Sequence, residues 1–334
     1  MRALLIAAIV AVAGWSAWWW FAASAQKFAW RTWLEDRQAA GWVAETSDIS
    51  VRGYPNRIDT TLSDVRIANP KAGWAWSGPF FQTFMLSYKP NHIIAVWPSE
   101  HTWSTPRGDV SFAAETMRGS VGFVPDTNLT LDRTQIEIRD LGLTGSDWAS
   151  ALKSAQFASR RVLPPNAPEY SHQIGIDAID LTLAKPFKRK VDPLNILPEA
   201  LESAHFDLVL QYDQPWGRKS VETTPPRLLA ISVKDVDVIW GKLRIEAKGQ
   251  VAVDRQGQAD GALTIKARNW REIISLLSAF GIPSELTENL ESGLAVIARL
   301  SGDPRTIEVP LTFRNGQTRI GPVSIGPAPM LVAQ

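Results

Sequence analysis

Residues 227–268 read RLLAISVKDVDVIWGKLRIEAKGQVAVDRQGQADGALTIKAR. Apolar residues recur at alternate positions: Ile231 and Val233, Val236 and Val238, Leu243 and Ile245, Val251 and Val253, Leu263 and Ile265. That period marks strands with one buried face. Gly249 and Gly257 punctuate the run and Asp260-Gly261 reads as a turn. The stretch therefore predicts consecutive short strands. No strand–helix–strand rhythm of a parallel sheet separates them, which makes neighbours antiparallel.

The same pattern extends both ways. Asn269, with Glu272 three positions on, has the form of a capping box. It predicts a helix with Ile273, Ile274, Leu277 and Phe280 on its apolar side and Gly281 as terminator. A further helix is predicted over 284–299. Ile307, Val309, Leu311 and Phe313, then Ile320, Val323 and Ile325, flank Asn315-Gly316 as a hairpin. Upstream, Phe206, Leu208, Leu210 and Tyr212 alternate, as do Ile174 with Ile176 and Ile179 with Leu181. Trp148, Ala151, Leu152, Ala155, Ala158 and Val162 instead fall at helical spacing before Pro164-Pro165, which predicts a helix there. Residues 83–88 and 92–97 form a hairpin signal around Lys89-Pro90-Asn91. Ile58, Thr60 and Leu62 share a face, and Val65 with Ile67 requires a bulge or a change of face.

The N-terminal run from Ala3 to Ala25 carries no charged residue. About 20 apolar residues suffice to cross a bilayer's hydrocarbon core. A competing reading is a signal peptide cleaved at Ala23-Ser24-Ala25. The run exceeds the usual apolar core of about 7–15 residues, and Trp18, Trp19, Trp20 and Phe21 resemble an interfacial belt. A retained anchor is the expectation. Arg2 favours a cytoplasmic N-terminus, while Lys27, Arg31 and Arg37 flank the other side. Long downstream domains translocate largely regardless of such charges. The expected location is thus an inner membrane, single-pass, with the body in the periplasm. Trp30, Trp33, Leu34 and Trp42 continue at roughly helical spacing to a turn at Gly41. The expected organisation is an anchor over 1–26, an amphipathic connecting helix over 27–43, and two halves of a β body over 44–164 and 165–334.

With 35 basic and 34 acidic residues, the formal charge of +1 argues against a nucleic-acid partner. Four histidines and no cysteine leave little material for zinc, iron–sulfur or thiol chemistry. No cofactor is expected. No Gly-x-Ser-x-Gly elbow, Walker loop or dinucleotide fingerprint occurs.

Residues 41–98 include GWVAETSDISVRGYPNRIDTTLSDVRI and AGWAWSGPFFQTFMLSYKPNHIIAVWP. These segments, with VIWGKLRIEAKGQVAVDRQGQADGALTIKARNW and NGQTRIGPVSIGPAP near the C-terminus, resemble the family called domain of unknown function 2125, membrane-anchored envelope proteins of alpha-proteobacteria. That family is similar in turn to AsmA-like envelope proteins. The resemblance implies an N-terminal anchor, a long curved sheet and a part in phospholipid traffic or envelope upkeep, and it brings no catalytic residues. The fold class expected is mostly β with a few helices: a transmembrane helix, then a curved, largely antiparallel sheet built as an AsmA-like groove or a sandwich.

Three groups of residues are candidates for ligand contact. Tyr54 precedes Arg57 and Asp59, which share a strand face and make either an ion pair or a headgroup contact. Trp74 and Trp76 share a face, with Phe80, Phe81 and Trp97 near in sequence, and suit a core edge or a lipid-facing lip. Lys185, Lys188, Arg189 and Lys190 surround Phe187 as a solvated loop or an anionic-lipid contact, where each cation contributes about 1 kcal/mol near a charged surface. His92, Glu100, His101 and Asp109 match no metal-ligand spacing, and Asp254 with Asp260 reads as a hairpin turn. The function expected is non-enzymatic: a membrane-anchored envelope protein that binds or transfers a hydrophobic ligand, phospholipid first. The alternative is a structural adaptor docking other envelope proteins without lipid.

Overall fold

The structure is a computed structural model that describes residues 1–279, 284–300, 302–321 and 323–331. Strands dominate, their pairing is antiparallel, and a long apolar helix stands at the N-terminus, as expected. The chain forms two compact units, Met1–Pro125 with Ile136–Asp147, and Asp126–Gln135 with Trp148–Gln334.

In the first unit the apolar run and the amphipathic segment are one uninterrupted helix, α1 (Arg2–Ala39). Gly41 ends it at a φ of +82°, a conformation that glycine adopts freely. β1 (Val43–Glu45) and β2 (Asp48–Arg52) lead into a hairpin of β3 (Arg57–Asn69) and β4 (Trp74–Leu86). This hairpin pairs along its whole length, from Arg57↔Leu86 to Asn69↔Trp74. β2 pairs with the start of β3 and β1 with its end. β5 (Lys89–Val96), β6 (Glu100–Thr105), β7 (Gly108–Ala113), β8 (Thr116–Phe123) and the second half of β9 (Leu131–Thr144) complete the unit. β4 changes partner midway: Gln82–Leu86 pair with β5, and Ala75–Ser77 with β6. The turn into β5 is at Ser87-Tyr88, since Leu86 already pairs with Lys89; the expected Lys89-Pro90-Asn91 turn therefore lies inside the strand.

The change of face expected after Leu62 occurs at Asp64, whose φ is +47°. Aspartate tolerates the left-handed region better than most residues. The kink lets Leu62 and Val65, three residues apart, join one buried cluster with Leu34, Ala44 and Ile49.

The second unit holds the first half of β9, β10 (Ala149–Val162), β11 (Ser171–Thr182), α2 (Lys185–Val191), β12 (Ala200–Tyr212) and α3 (Arg218–Glu222). β13 (Leu228–Trp240), β14 (Leu243–Val253) and β15 (Ala259–Arg268) follow, then α4 (Arg271–Ala279), α5 (Ser284–Leu300), β16 (Thr306–Arg314), β17 (Gln317–Ile320) and β18 (Val323–Pro327). From β10 to β18 each strand pairs with the next. The strands of 227–268 are thus β13, β14 and β15. The Asn315-Gly316 turn has both residues at positive φ, as a two-residue hairpin requires.

Two local expectations fail here. Residues 149–162 are strand β10, paired with β11 from Ala151↔Thr182 to Val162↔Ser171. The helical stripe read there rests largely on alanines, which bury little area, and ladder pairing on a neighbouring strand overrides it. Asn269 does not cap α4 with its side chain; at φ +55° it turns the chain and donates from Nδ2 to the Lys242 carbonyl at 2.5 Å. The backbone carbonyl of Asn269 accepts the Glu272 N–H instead, and that of Trp270 accepts those of Ile273 and Ile274. Phe280 and Gly281 lie outside the described residues, as does the side chain of Leu277. α4 and α5 pack on β15 and β16 through a cluster of Ala267, Trp270, Ile274, Leu290, Leu294, Ala298, Ile307 and Val309. Trp270 is almost wholly buried and its indole N–H reaches the Pro304 carbonyl at 3.3 Å.

Of the four histidines, His101 and His172 are buried and His92 and His205 are not. His172 lies against the Ser159 hydroxyl at 3.2 Å, and burial first, then the Arg161 charge, lowers its pKa. His101 is also lowered by burial, partly offset by its bond to the Pro98 carbonyl. His205, paired with Asp177 at 2.6 Å on an exposed face, is raised, chiefly by that hydrogen bond. A base with a lowered folded pKa makes the unfolded chain bind more protons below the unfolded value of about 6.5, so stability falls on acidification. His205 acts oppositely, its contribution being present below about pH 6.5 and lost as pH rises through its folded value, but an exposed pair contributes little. The melting temperature in detergent is therefore expected to drop between pH 8 and pH 5.5. His172→Gln should flatten that drop, and His205→Gln should not.

Candidate functional site

One face of α1 lies on the sheet of the first unit. Trp15, Trp19, Ala23, Trp30 and Leu34 fall on it at steps of four and seven residues, the spacing of one helix face. Trp19 is 5% exposed and packs with Ala23 on Ile58, with Val51 and Met85 alongside. Its indole N–H donates to the Arg57 carbonyl at 2.7 Å, and that of Trp15 donates to the Pro55 carbonyl at 3.0 Å. Further along, Trp30 and Leu34 join the cluster of Leu62 and Val65. Gln38 then donates to the Ala44 carbonyl at 2.6 Å.

Between the Trp19 seam and the end of α1, helix and sheet enclose an open groove of about 630 Å³. Gln26, Ala29, Trp30 and Trp33 of α1 line one side. Leu62, Val65 and Ile67 of β3, Trp74, Trp76 and Phe81 of β4, Trp97 and Trp103 line the other. The volume falls in the range of ligand pockets, about 300–1,000 Å³. Six tryptophans of the chain's 15 converge on it, so the aromatic excess of the sequence is concentrated here. The rings brace each other: Trp74 stacks on Trp103 at 5.1 Å, Phe81 meets Trp97 edge-on at 5.4 Å, and Trp30 meets Phe81 at 6.2 Å. Such contacts fix ring orientation beyond simple burial. The Trp30 Nε1 is buried without a hydrogen-bond partner, a cost of about 1–3 kcal/mol that the rest of the seam must offset. Arg37 lies over the rings of Trp33 and Trp42 at 5.9 and 5.5 Å, and Trp42 in turn meets Trp74. It places a cation beside the aromatic wall at this end.

The sequence candidates separate accordingly. Trp74, Trp76 and Trp97 come together in the groove. Trp30 and Trp33, read as an amphipathic helix, supply its opposite wall. Trp103 was not among the candidates, and its signal is the pairing of Trp76 with Trp103 across β4 and β6, which needs the strand partnership to be known. Tyr54, Arg57 and Asp59 lie beyond the groove. Arg57 and Asp59 form the expected ion pair at 2.6 Å. The Tyr54 hydroxyl bonds to Ser16 at 2.8 Å and its ring meets Trp19 edge-on.

The basic stretch at 185–190 is not a free loop. It forms α2, in which Lys185, Arg189 and Lys190 are exposed and Lys188 is 4% exposed. The Lys188 ammonium donates to Asp192 Oδ2 at 2.9 Å, Asn195 Oδ1 at 2.7 Å and the Leu197 carbonyl at 3.0 Å, using all three protons. Asp192 also accepts the Ile196 and Leu197 N–H groups. Burial pushes the Asp192 carboxyl up, but Lys188 and those two N–H groups outweigh it and hold it below the usual carboxylate value. Lys188 is a structural cation and offers nothing to a ligand.

His101 stacks on Phe112 at 4.6 Å. Asp254 Oδ1 accepts the N–H groups of Gln256 and Gln258, which makes it a turn residue as expected. Two further depressions have mixed polar and apolar linings, one over Arg66, Glu100 and His101, the other over Asp260, Arg314 and Arg319. Lys188→Ala leaves Asp192 buried and unpaired and should cost about 3–5 kcal/mol in chemical denaturation. Arg189→Ala, one residue on and exposed, should stay within about 0.5 kcal/mol of the parent.

No curated protein and no solved structure matches the chain. A family model described as "Uncharacterized protein conserved in bacteria" matches residues 19–329, from Trp19 of the helix seam to the strands at the C-terminus. The chain belongs to that bacterial family, DUF2125.

Proposed function

We propose that the protein is a non-enzymatic, single-pass envelope protein that holds or passes a phospholipid in the groove between α1 and the sheet. The observation that carries this reading is the position of the groove. Its wall is the direct continuation of a helix long and apolar enough to cross a membrane. A lipid leaving the bilayer along α1 meets an aromatic surface before it meets water. Indole rings are amphipathic and suit acyl chains bordered by ester groups. Arg37 at one end of the aromatic wall supplies a cation for a phosphate. The N-terminus lies in the cytoplasm and the β body in the periplasm, an arrangement that Arg2 and the length of the downstream chain favour. The resemblance to AsmA-like envelope proteins agrees with it.

Lipid mass spectrometry on the detergent-extracted full chain tests the reading. Phospholipid should accompany the parent and be lost from Ala29→Trp, which fills the groove from α1, and be reduced in Arg37→Ala. Equal lipid on parent and Ala29→Trp would contradict the proposal. If protein rather than lipid occupies the groove, a partner polypeptide should be displaced by the same substitution.

A further inference from the structure

The docking of α1 limits how it can cross a membrane. The sheet already holds the helix from Trp15, which leaves the residues from Ala3 to Gly14 free. Those 12 residues measure about 18 Å at 1.5 Å per residue. The hydrocarbon core is about 30 Å thick. The missing length must come from the part of α1 that carries the sheet. We propose that the hairpin tips of the first unit, Gly53–Arg57 and Ser87-Tyr88, are immersed in the outer part of the bilayer alongside α1. The bilayer itself is thus a docking partner of the β body. The proposal rests on the reading of α1 as a membrane anchor.

The tips are built for that depth. Irregular backbone is tolerated in a bilayer only where its polar groups find protein partners. The carbonyls of Gly53, Pro55, Asn56 and Arg57 all have one: the Arg57 N–H, the Trp15 indole, the Ser87 N–H and the Trp19 indole, respectively. Pro55 has no N–H to satisfy. Ser87 Oγ reaches the Pro55 and Asn56 carbonyls at 3.3 and 3.1 Å, which pins the two tips together. Beside Pro55, Asn56 and Arg57, the tips expose two side chains of interfacial type. Tyr54 is 51% and Tyr88 64% exposed, facing solvent as no core residue does. Amphipathic rings of this kind sit at headgroup depth. Arg52 and Lys89 lie at the adjoining strand ends and have stems long enough to place their charges among phosphates.

The chain has no cysteine, so introduced thiols are unique. Tyr88→Cys, Lys89→Cys and Arg107→Cys, each in the full chain, would carry an environment-sensitive fluorophore in phosphatidylcholine–phosphatidylglycerol vesicles. Residue 107 lies in the β6–β7 turn, roughly 35 Å along β4 from Tyr88. Labels at 88 and 89 should be quenched by lipids bearing a nitroxide near the headgroup and should lose iodide quenching several-fold relative to 107. Iodide quenching at 88 and 89 equal to that at 107 would overturn the proposal and mean that the Trp15–Pro55 seam opens in the membrane. Labels shielded from both quenchers would overturn it in favour of a protein contact. Failure of the chain to float with the vesicles would overturn the anchor reading itself. An empty groove combined with quenched tips would leave this proposal standing and remove only the lipid-carrying one.

Discussion

Everything in the first unit depends on the seam between α1 and the β2–β4 strand ends, where two indole N–H groups bond to loop carbonyls and Trp19 covers Ile58. In water such burial would contribute about 25 cal/mol per Å² of apolar surface removed from solvent. Against lipid that driving force disappears, and packing and hydrogen bonds must hold the elements together. Directed bonds from Trp15 and Trp19 meet that requirement where a purely apolar contact would not. They also account for two of the four tryptophans toward the C-terminal end of the run.

The groove follows from the same geometry. α1 touches the sheet at Trp19 and again at Leu34, and between these contacts the two surfaces part enough to leave a cavity. Aromatic edges line it because both walls are tryptophan-bearing, with rings that hold one another in place. In the second unit the α4–α5 pair covers β15 and β16 with a packed cluster, so apolar surface there is satisfied within the protein.

Much of this was legible in the sequence where polar and apolar residues alternate. Residues 227–268 read directly as strands, and Asn315-Gly316 as their kind of turn. Legibility ended where contrast ended. Within Ala3–Gly14 and on to Ala25 nearly every residue is apolar, so no periodicity could show that one face of α1 docks from Trp15 onward. Alanine at 151, 155 and 158 fits helix or strand equally, and only pairing with β11 decides. Lys188 looks like its neighbours in a basic run, and its burial depends on Asp192 and Asn195 folding back beneath it. A subtler signal went unread. Aspartates before an apolar residue, at Asp64, Asp140 and Asp180, take positive φ within β3, β9 and β11, while Asp207 and Asp235 sit at register shifts. These residues mark where a strand changes face.

The central claim is that the N-terminal helix is a working part of the β body and stays attached to it. Removal after Ala25 would take Trp15, Trp19 and Ala23 from the seam and uncover Ile58. The match to the family begins at Trp19, ahead of that position. The direct measurement is the intact mass and N-terminal sequence of the protein purified from membranes. The account predicts a chain that still contains Trp15 and Trp19, near the full 36.9 kDa. A mature chain beginning at Gln26 would contradict it.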